Sequence, residues 1–113
     1  SVVAAFEKEL SEIYAAGATV AEVPRVSYFA EKAHLTPGYF GDLIKRETGN
    51  TAQEIITLRI IAEAKRRLAS TDADISSIAY DLGFQYPQHF TRLFKRVSGK
   101  SPKVFRNEFC PDN

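Results

Sequence analysis

The sequence predicts an all-α protein of about seven helices, arranged as two helix-turn-helix units joined by one long linker helix. Three observations carry this. Apolar residues recur at three- and four-residue spacing, and the β-branched stretches, such as ATVAEVP, stay short. Helix caps punctuate the chain at Thr36-Pro37, Gly49, Thr51, Gly83, Gly99 and Ser101-Pro102. A stretch near the middle also recurs near the end.

The first helix is expected over Val2 to Ala16, with Val3, Phe6, Leu10 and Ile13 on one face and GAT ending it. The second is expected over Arg25 to His34, on Val26, Phe29, Ala30 and Ala33. The third opens at Thr36, a good N-cap, followed by Pro37, whose missing N–H has no partner to lose in the first turn. Phe40, Leu43 and Ile44 give its apolar face, and Gly49 ends it. The fourth starts with a capping box, Thr51 three residues before Glu54, and runs to about Leu68. STDAD breaks the pattern. A fifth carries Ile75, Ile78, Ala79 and Leu82 and stops at Gly83; the sixth ends near Gly99; the seventh is short, through Phe105 and Arg106.

The repeat joins the second and third helices to the fifth and sixth. Val26, Phe29, Ala30 and Ala33 match Ile75, Ile78, Ala79 and Leu82 at an offset of 49. One extra residue then makes the offset 50, and FGDLIKRETG pairs with FTRLFKRVSG. Each copy is helix, short turn, helix, with a small Ala (Ala30, Ala79) where two helices must approach closely. In that motif the second helix can enter the major groove of DNA. A linker helix of roughly 27 Å suits two insertions about one DNA turn, ~34 Å, apart. The division is residues 1–22, an N-terminal helix and connection to a missing upstream domain; 23–50, the first unit; 51–70, the linker; 71–113, the second unit with the C-terminal helix.

Bulk properties narrow the function. With 113 residues, 44% hydrophobic and 26% charged, the chain is a globular domain. No apolar run reaches the ~20 residues of a membrane span. The start, SVVAAFEKEL, lacks the apolar run of a signal peptide. The chain contains no Met, which predicts a piece of something longer. One cysteine, Cys110, leaves no internal disulfide and fits a reducing cytoplasm. The net charge is only +1, but residues 1–42 hold three bases against six acids, whereas residues 43–113 hold twelve against eight. Arg92 to Arg106 contains six bases and no acid. Phosphates respond to such a local surface more than to the whole-chain sum.

The repeated residues resemble the DNA-binding domain of the AraC/XylS family of bacterial transcription regulators. The resemblance runs from about Val23 to Arg106 and is strongest in DISSIAYDLGFQYPQHFTRLFKRVSGKSPKVFR, Asp74 to Arg106. It implies two helix-turn-helix units bridged by a linker helix, binding sequence-specifically to adjacent major grooves of promoter DNA. It also implies a position C-terminal to a sensor or dimerisation domain, with RNA polymerase as a further partner.

Within the second reading helix, Phe84, Phe90, Leu93 and Phe94 are assigned to the core, against stacking on unpaired bases. Gln88 and Arg92 are the expected base readers, since Gln matches adenine and Arg matches guanine bidentately. The competing reading is a solvated polar face. Pro87, His89 and Tyr86 stand beside them at the helix start, and Tyr39 and Asp42 are their counterparts in the first copy. Asp42 repels phosphate but could accept from cytosine, and Gly41 offers no side chain, so the first helix has fewer readers. Thr36, Lys45, Arg46, Thr91, Lys95, Arg96, Lys100, Lys103 and Arg106 are the candidate phosphate contacts, which position without specifying. Arg59, Lys65, Arg66 and Arg67, with Glu63, read as a solvated face of the linker, with Arg59 or Arg66 near phosphate. Tyr28 and Tyr80 get no assignment. His34 and His89 lack the neighbours of a metal site. No cofactor is expected, and nothing suggests an enzyme: there is no phosphate-cradling Gly loop and no nucleophile–base set. The rival function is a helical protein-interaction domain, which the near-neutral charge allows.

Overall fold

The computed structural model describes residues 1–109; Cys110 lies outside them. Among these residues there are seven helices and no strand: α1 (Val2–Ile13), α2 (Val26–Lys32), α3 (Pro37–Thr48), α4 (Ala52–Ser70), α5 (Ile75–Asp81), α6 (Pro87–Ser98) and α7 (Pro102–Phe109). The molecule is elongated, 49 × 25 × 22 Å. α2 packs on α3 and α5 on α6, and α4 touches both pairs.

The caps form as their chemistry dictates. Thr36 Oγ1 accepts from the Tyr39 N–H at 3.2 Å. Thr51 and Glu54 close a reciprocal capping box at 2.7 and 3.0 Å. Gly49 and Gly99 end α3 and α6 at φ 83° and 82°. The repeat extends to single bonds. Thr48 Oγ1 donates to the carbonyl of Ile44, and Ser98 Oγ donates to that of Phe94. Over residues 38–50 and 88–100, every equivalent pair shares its degree of burial.

α2 and α5 end in the same way. His34 and Gly83 occupy the equivalent cap at φ 59° and 101°. The next amides, Leu35 and Phe84, bond at 3.0 Å to the equivalent carbonyls of Ala30 and Ala79. Here α2 proves shorter than the expected Arg25–His34, because Arg25 is extended at the N-cap and His34 has already turned left-handed.

The N-terminal stretch does more than connect. α1 ends at Ile13, three residues before the expected Ala16. Its Phe6 ring meets Phe29 and Phe40 edge-on at 4.8 and 5.3 Å, so α1 completes the core of the first unit. Tyr14, fully buried, then reaches the second unit: its hydroxyl donates to the Leu82 carbonyl at 2.9 Å. Burial pushes this phenol's pKa up, with the charge of Arg67 pulling the other way. Residues 18–24 run on as a strap along the end of α5, where Val20 N–H donates to Asp81 O and Val23 N–H to Gly83 O, at 2.7 and 3.2 Å.

The linker helix departs most from expectation. Glu63 and Arg67, read as solvated, are 2% and 6% exposed. Arg67 Nε donates to Glu63 Oε2 at 2.7 Å, and Arg67 Nη2 to the Ala18 carbonyl at 2.6 Å. The Gly17 N–H donates to the same carboxylate at 3.3 Å. Arg66 pairs with Glu63 from the solvent side at 3.0 Å. Burial alone would raise the Glu63 pKa, but the donors from Arg66, Arg67 and Gly17 outweigh it and hold the carboxyl below its ordinary range. Arg59 is also engaged, donating to the Tyr14 carbonyl at 2.8 Å. A buried charge survives only if paired and hydrogen-bonded, and the turn at 14–18 supplies those partners.

Candidate nucleic-acid interface

α6 takes its orientation from aromatic packing. Phe90 and Phe94 are fully buried, with Phe84 5.4 Å from Phe90 and Phe105 5.6 Å from Phe94. Burying that side turns Gln88, His89, Arg92, Lys95 and Arg96 to the surface. Pro87 holds the first helical position and Tyr86 the N-cap, which gives no side-chain cap bond. His89 rests edge-on against Tyr86, ring centroids 5.3 Å apart. The half-buried Thr91 turns its hydroxyl back to the Pro87 carbonyl at 3.2 Å. His89, Arg92, Leu93 and Arg96 line one shallow groove. Arg96 borders a second groove with Asn50, Thr51 and Gln53 at the start of α4, and so faces both units. Among the described residues no ion pair or side-chain hydrogen bond engages Gln88, Arg92, Lys95, Arg96 or Lys103.

α3 presents the same face with different chemistry. Gly38, Tyr39, Asp42, Lys45 and Arg46 are among its exposed positions. They are equivalent to Gln88, His89, Arg92, Lys95 and Arg96. Lys45 donates to the Gly49 carbonyl at 2.9 Å, closing its own helix end. The cap accepted by Thr36 uses an oxygen lone pair and leaves its O–H available as a donor.

Besides Thr91 and Lys45, two further expected phosphate contacts have intramolecular partners. Lys100 pairs with Glu108 across α7. Arg106 is the more engaged of the two. Its Nε, Nη1 and Nη2 donate to the carbonyls of Leu68, Ala73 and Thr71 at 3.1, 2.6 and 3.2 Å. The guanidinium ties α7 to the end of α4 and the connection that follows it, because the carbonyls of Leu68 and Thr71 at the helix C-terminus lack intrahelical donors and a planar cation serves several acceptors at once. The capping box sets Asn50 and Gln53 at the exposed start of α4, and the repeat pairs Gly38 with Gln88.

A helix-turn-helix domain family profile matches residues 29–108. The chain belongs to the AraC/XylS family. An HTH-type transcriptional regulator of Bacillus subtilis, YobQ, is 32% identical over 87 residues, 77% of this chain and 36% of that protein. The raffinose operon regulatory protein RafR of Pediococcus pentosaceus is 29% identical over 97 residues, 86% of this chain and 33% of the relative. The chain thus spans about a third of the length of these relatives. Among solved structures, the C-terminal domain of AraT, a response regulator from Geobacillus stearothermophilus, superposes with a TM-score of 0.84 at 23% identity, covering 95% of this chain and 84% of that one. The DNA-binding domain of AdpA, solved with a target DNA, gives 0.80 at 21% identity, covering 98% and 97%. These two likenesses concern the fold. This AraC/XylS-family domain is all-α, with two helix-turn-helix units, and its relatives are transcription regulators.

Proposed function

We propose that this AraC/XylS-family domain reads double-stranded promoter DNA by setting α3 and α6 in adjacent major grooves, in the cytoplasm, as the DNA-binding part of a transcription regulator. The observation that carries the reading is the α6 surface. Gln88, His89 and Arg92 project from the first turns of a helix whose opposite face is fully buried, and Gln88 and Arg92 have no partner among the described residues. Unpaired long donors at the start of such a helix are what base edges require.

In this reading Gln88 and Arg92 are the principal base readers, with Tyr86, Pro87 and His89 beside them. Tyr39 and Asp42 face bases from α3, and the second unit carries more sequence information than the first. Thr36, Lys45, Arg46, Thr91, Lys95, Arg96, Lys100 and Lys103 face phosphates; Lys100 would leave Glu108 to do so. Regulators more than twice as long support an upstream sensor or dimerisation domain and RNA polymerase as further partners.

The test is a selection from random duplex DNA, with binding of the winner followed across salt. A motif about two helical turns long, richer in one half, with affinity falling steeply as salt rises, is the expected result. A helical protein-interaction domain predicts no binding even at low salt. Base changes under the first half-site that cost more than those under the second would reverse the assignment of the dominant reader.

A further inference from the structure

We propose that the buried polar hub formed by Tyr14, Glu63 and Arg67 with the turn at 14–18 and the strap at 18–24 fixes the rotation of one reading unit against the other, and so sets the half-site spacing that the protein accepts. The inference rests on the DNA reading above.

The hub spans the two units. α1 belongs to the first unit through Phe6, which packs on Phe29 and Phe40. Its C-cap residue, Tyr14, grips the second unit at the Leu82 carbonyl, at the end of α5. The strap that follows bonds to Asp81 and Gly83, then enters α2 of the first unit. α4 clamps both from below: Arg59 holds the Tyr14 carbonyl, Glu63 the Gly17 amide, and Arg67 the Ala18 carbonyl. Glu63 and Arg67 are the buried charged residues of the described chain, and their bonds converge on one short turn.

Geometry argues for positioning over bulk stability. Apolar contacts tolerate sliding and rotation, whereas directional bonds to fixed backbone carbonyls do not. Replacing a buried ion pair by well-packed apolar residues is often neutral for stability, so such a pair is better explained by the arrangement it enforces. The arrangement matters for DNA because one inserted base pair turns the second groove by about 35° and moves it about 3.4 Å. Two units held rigidly lose the contacts of one helix on such a site. Two units free to rotate recover them. Tyr14, Glu63 and Arg67 are thus positioning residues that touch no DNA.

The experiment compares the unmodified chain with Tyr14→Phe and Arg67→Lys on the selected site, on that site with one base pair inserted between halves, and on a site with its first half scrambled. Urea unfolding confirms that each variant folds. The unmodified chain is expected to lose about 10- to 100-fold on the insertion, the value of one or two base-edge contacts. Both variants should lose less than about a third of that factor, while binding the half-scrambled site as the unmodified chain does. A parallel measurement needs no DNA. Nitroxides on Glu47→Cys and Val97→Cys, in a Cys110→Ser background, should give a broader distance distribution in Tyr14→Phe. An undiminished insertion penalty and an unchanged distribution in both folded variants overturn the hub. Absence of any preferred duplex for the unmodified chain overturns the DNA reading, and the distance distribution still reports on the hub.

Discussion

Replacing Gly83 by alanine separates two demands that a left-handed glycine can meet. Gly83 sits at φ 101°, and a Cβ there would lie 2.7 Å from the Val23 nitrogen and 2.8 Å from the Glu22 carbonyl carbon. Both are backbone atoms of the strap, so no side chain can swing aside. The torsion alone costs roughly 1–2 kcal/mol. Pushing the strap off removes the Val23–Gly83 bond and loosens that from Val20 to Asp81, about 0.5–1.5 kcal/mol each. The total is about 2–5 kcal/mol, or a fall in Tm of about 10–20 °C for a domain of this size. Gly99→Ala is the control: φ is 82° and nothing lies within 4 Å of its Cβ, so only the torsion counts, about 1–2 kcal/mol. His34 makes the same point from within the fold, since a full, exposed side chain occupies the equivalent cap at φ 59°. Urea midpoints of the two variants decide the matter. Equal destabilisation by Gly83→Ala and Gly99→Ala would refute the close-approach argument and leave only backbone torsion.

Further outcomes follow from the same contacts. Arg106→Ala removes three donors from the end of α4 and should cost about 2–3 kcal/mol in urea unfolding, with the salt slope of DNA binding unchanged; a lowered slope with unaltered stability would return Arg106 to the phosphate contacts. The lowered pKa of Glu63 contributes stability that is present above the ordinary carboxylate pKa of about 4.3 and is lost as pH falls through the lowered value. Urea midpoints between pH 7 and pH 3 should therefore fall more steeply for the unmodified chain than for Glu63→Gln, which starts lower because Arg67 stays buried without its counter-charge; parallel curves would show that the pairing contributes nothing. Arg92→Ala should cost about 1–3 kcal/mol of DNA affinity and relax preference at one base pair, whereas Lys103→Ala should weaken all sequences alike and lower the salt slope by about one.

The repeat was readable because both copies use one set of apolar positions. Phe40, Leu43 and Ile44 against Phe90, Leu93 and Phe94 fix which side of each helix is buried, and hence which residues face out. Caps were readable for a similar reason: Thr51 and Glu54, or Thr36 and Pro37, satisfy each other locally. The hub was not. Arg59, Glu63 and Arg67 recur every four residues and so lie along one stripe of α4, but charge at those positions ordinarily marks solvent. Only the turn at 14–18, brought in from more than forty residues away, makes burial affordable. The same holds for Arg106, the last member of an acid-free basic run, whose partners are backbone carbonyls and leave no mark among the side chains. Tyr14 carries no signal either, because its partner is also a backbone oxygen.

The pairwise match of burial across residues 38–50 and 88–100 has a consequence for how such a domain changes over generations. Everything that keeps each copy folded lies on the inward side or at the caps. Gly38, Tyr39 and Asp42 in one copy, and Gln88, His89 and Arg92 in the other, lie on the outward side. Mutation can therefore rewrite what one copy recognises while the twin copy and the common scaffold stay intact. A duplicated unit of this kind is a substrate for divergence, able to acquire a new target one half at a time.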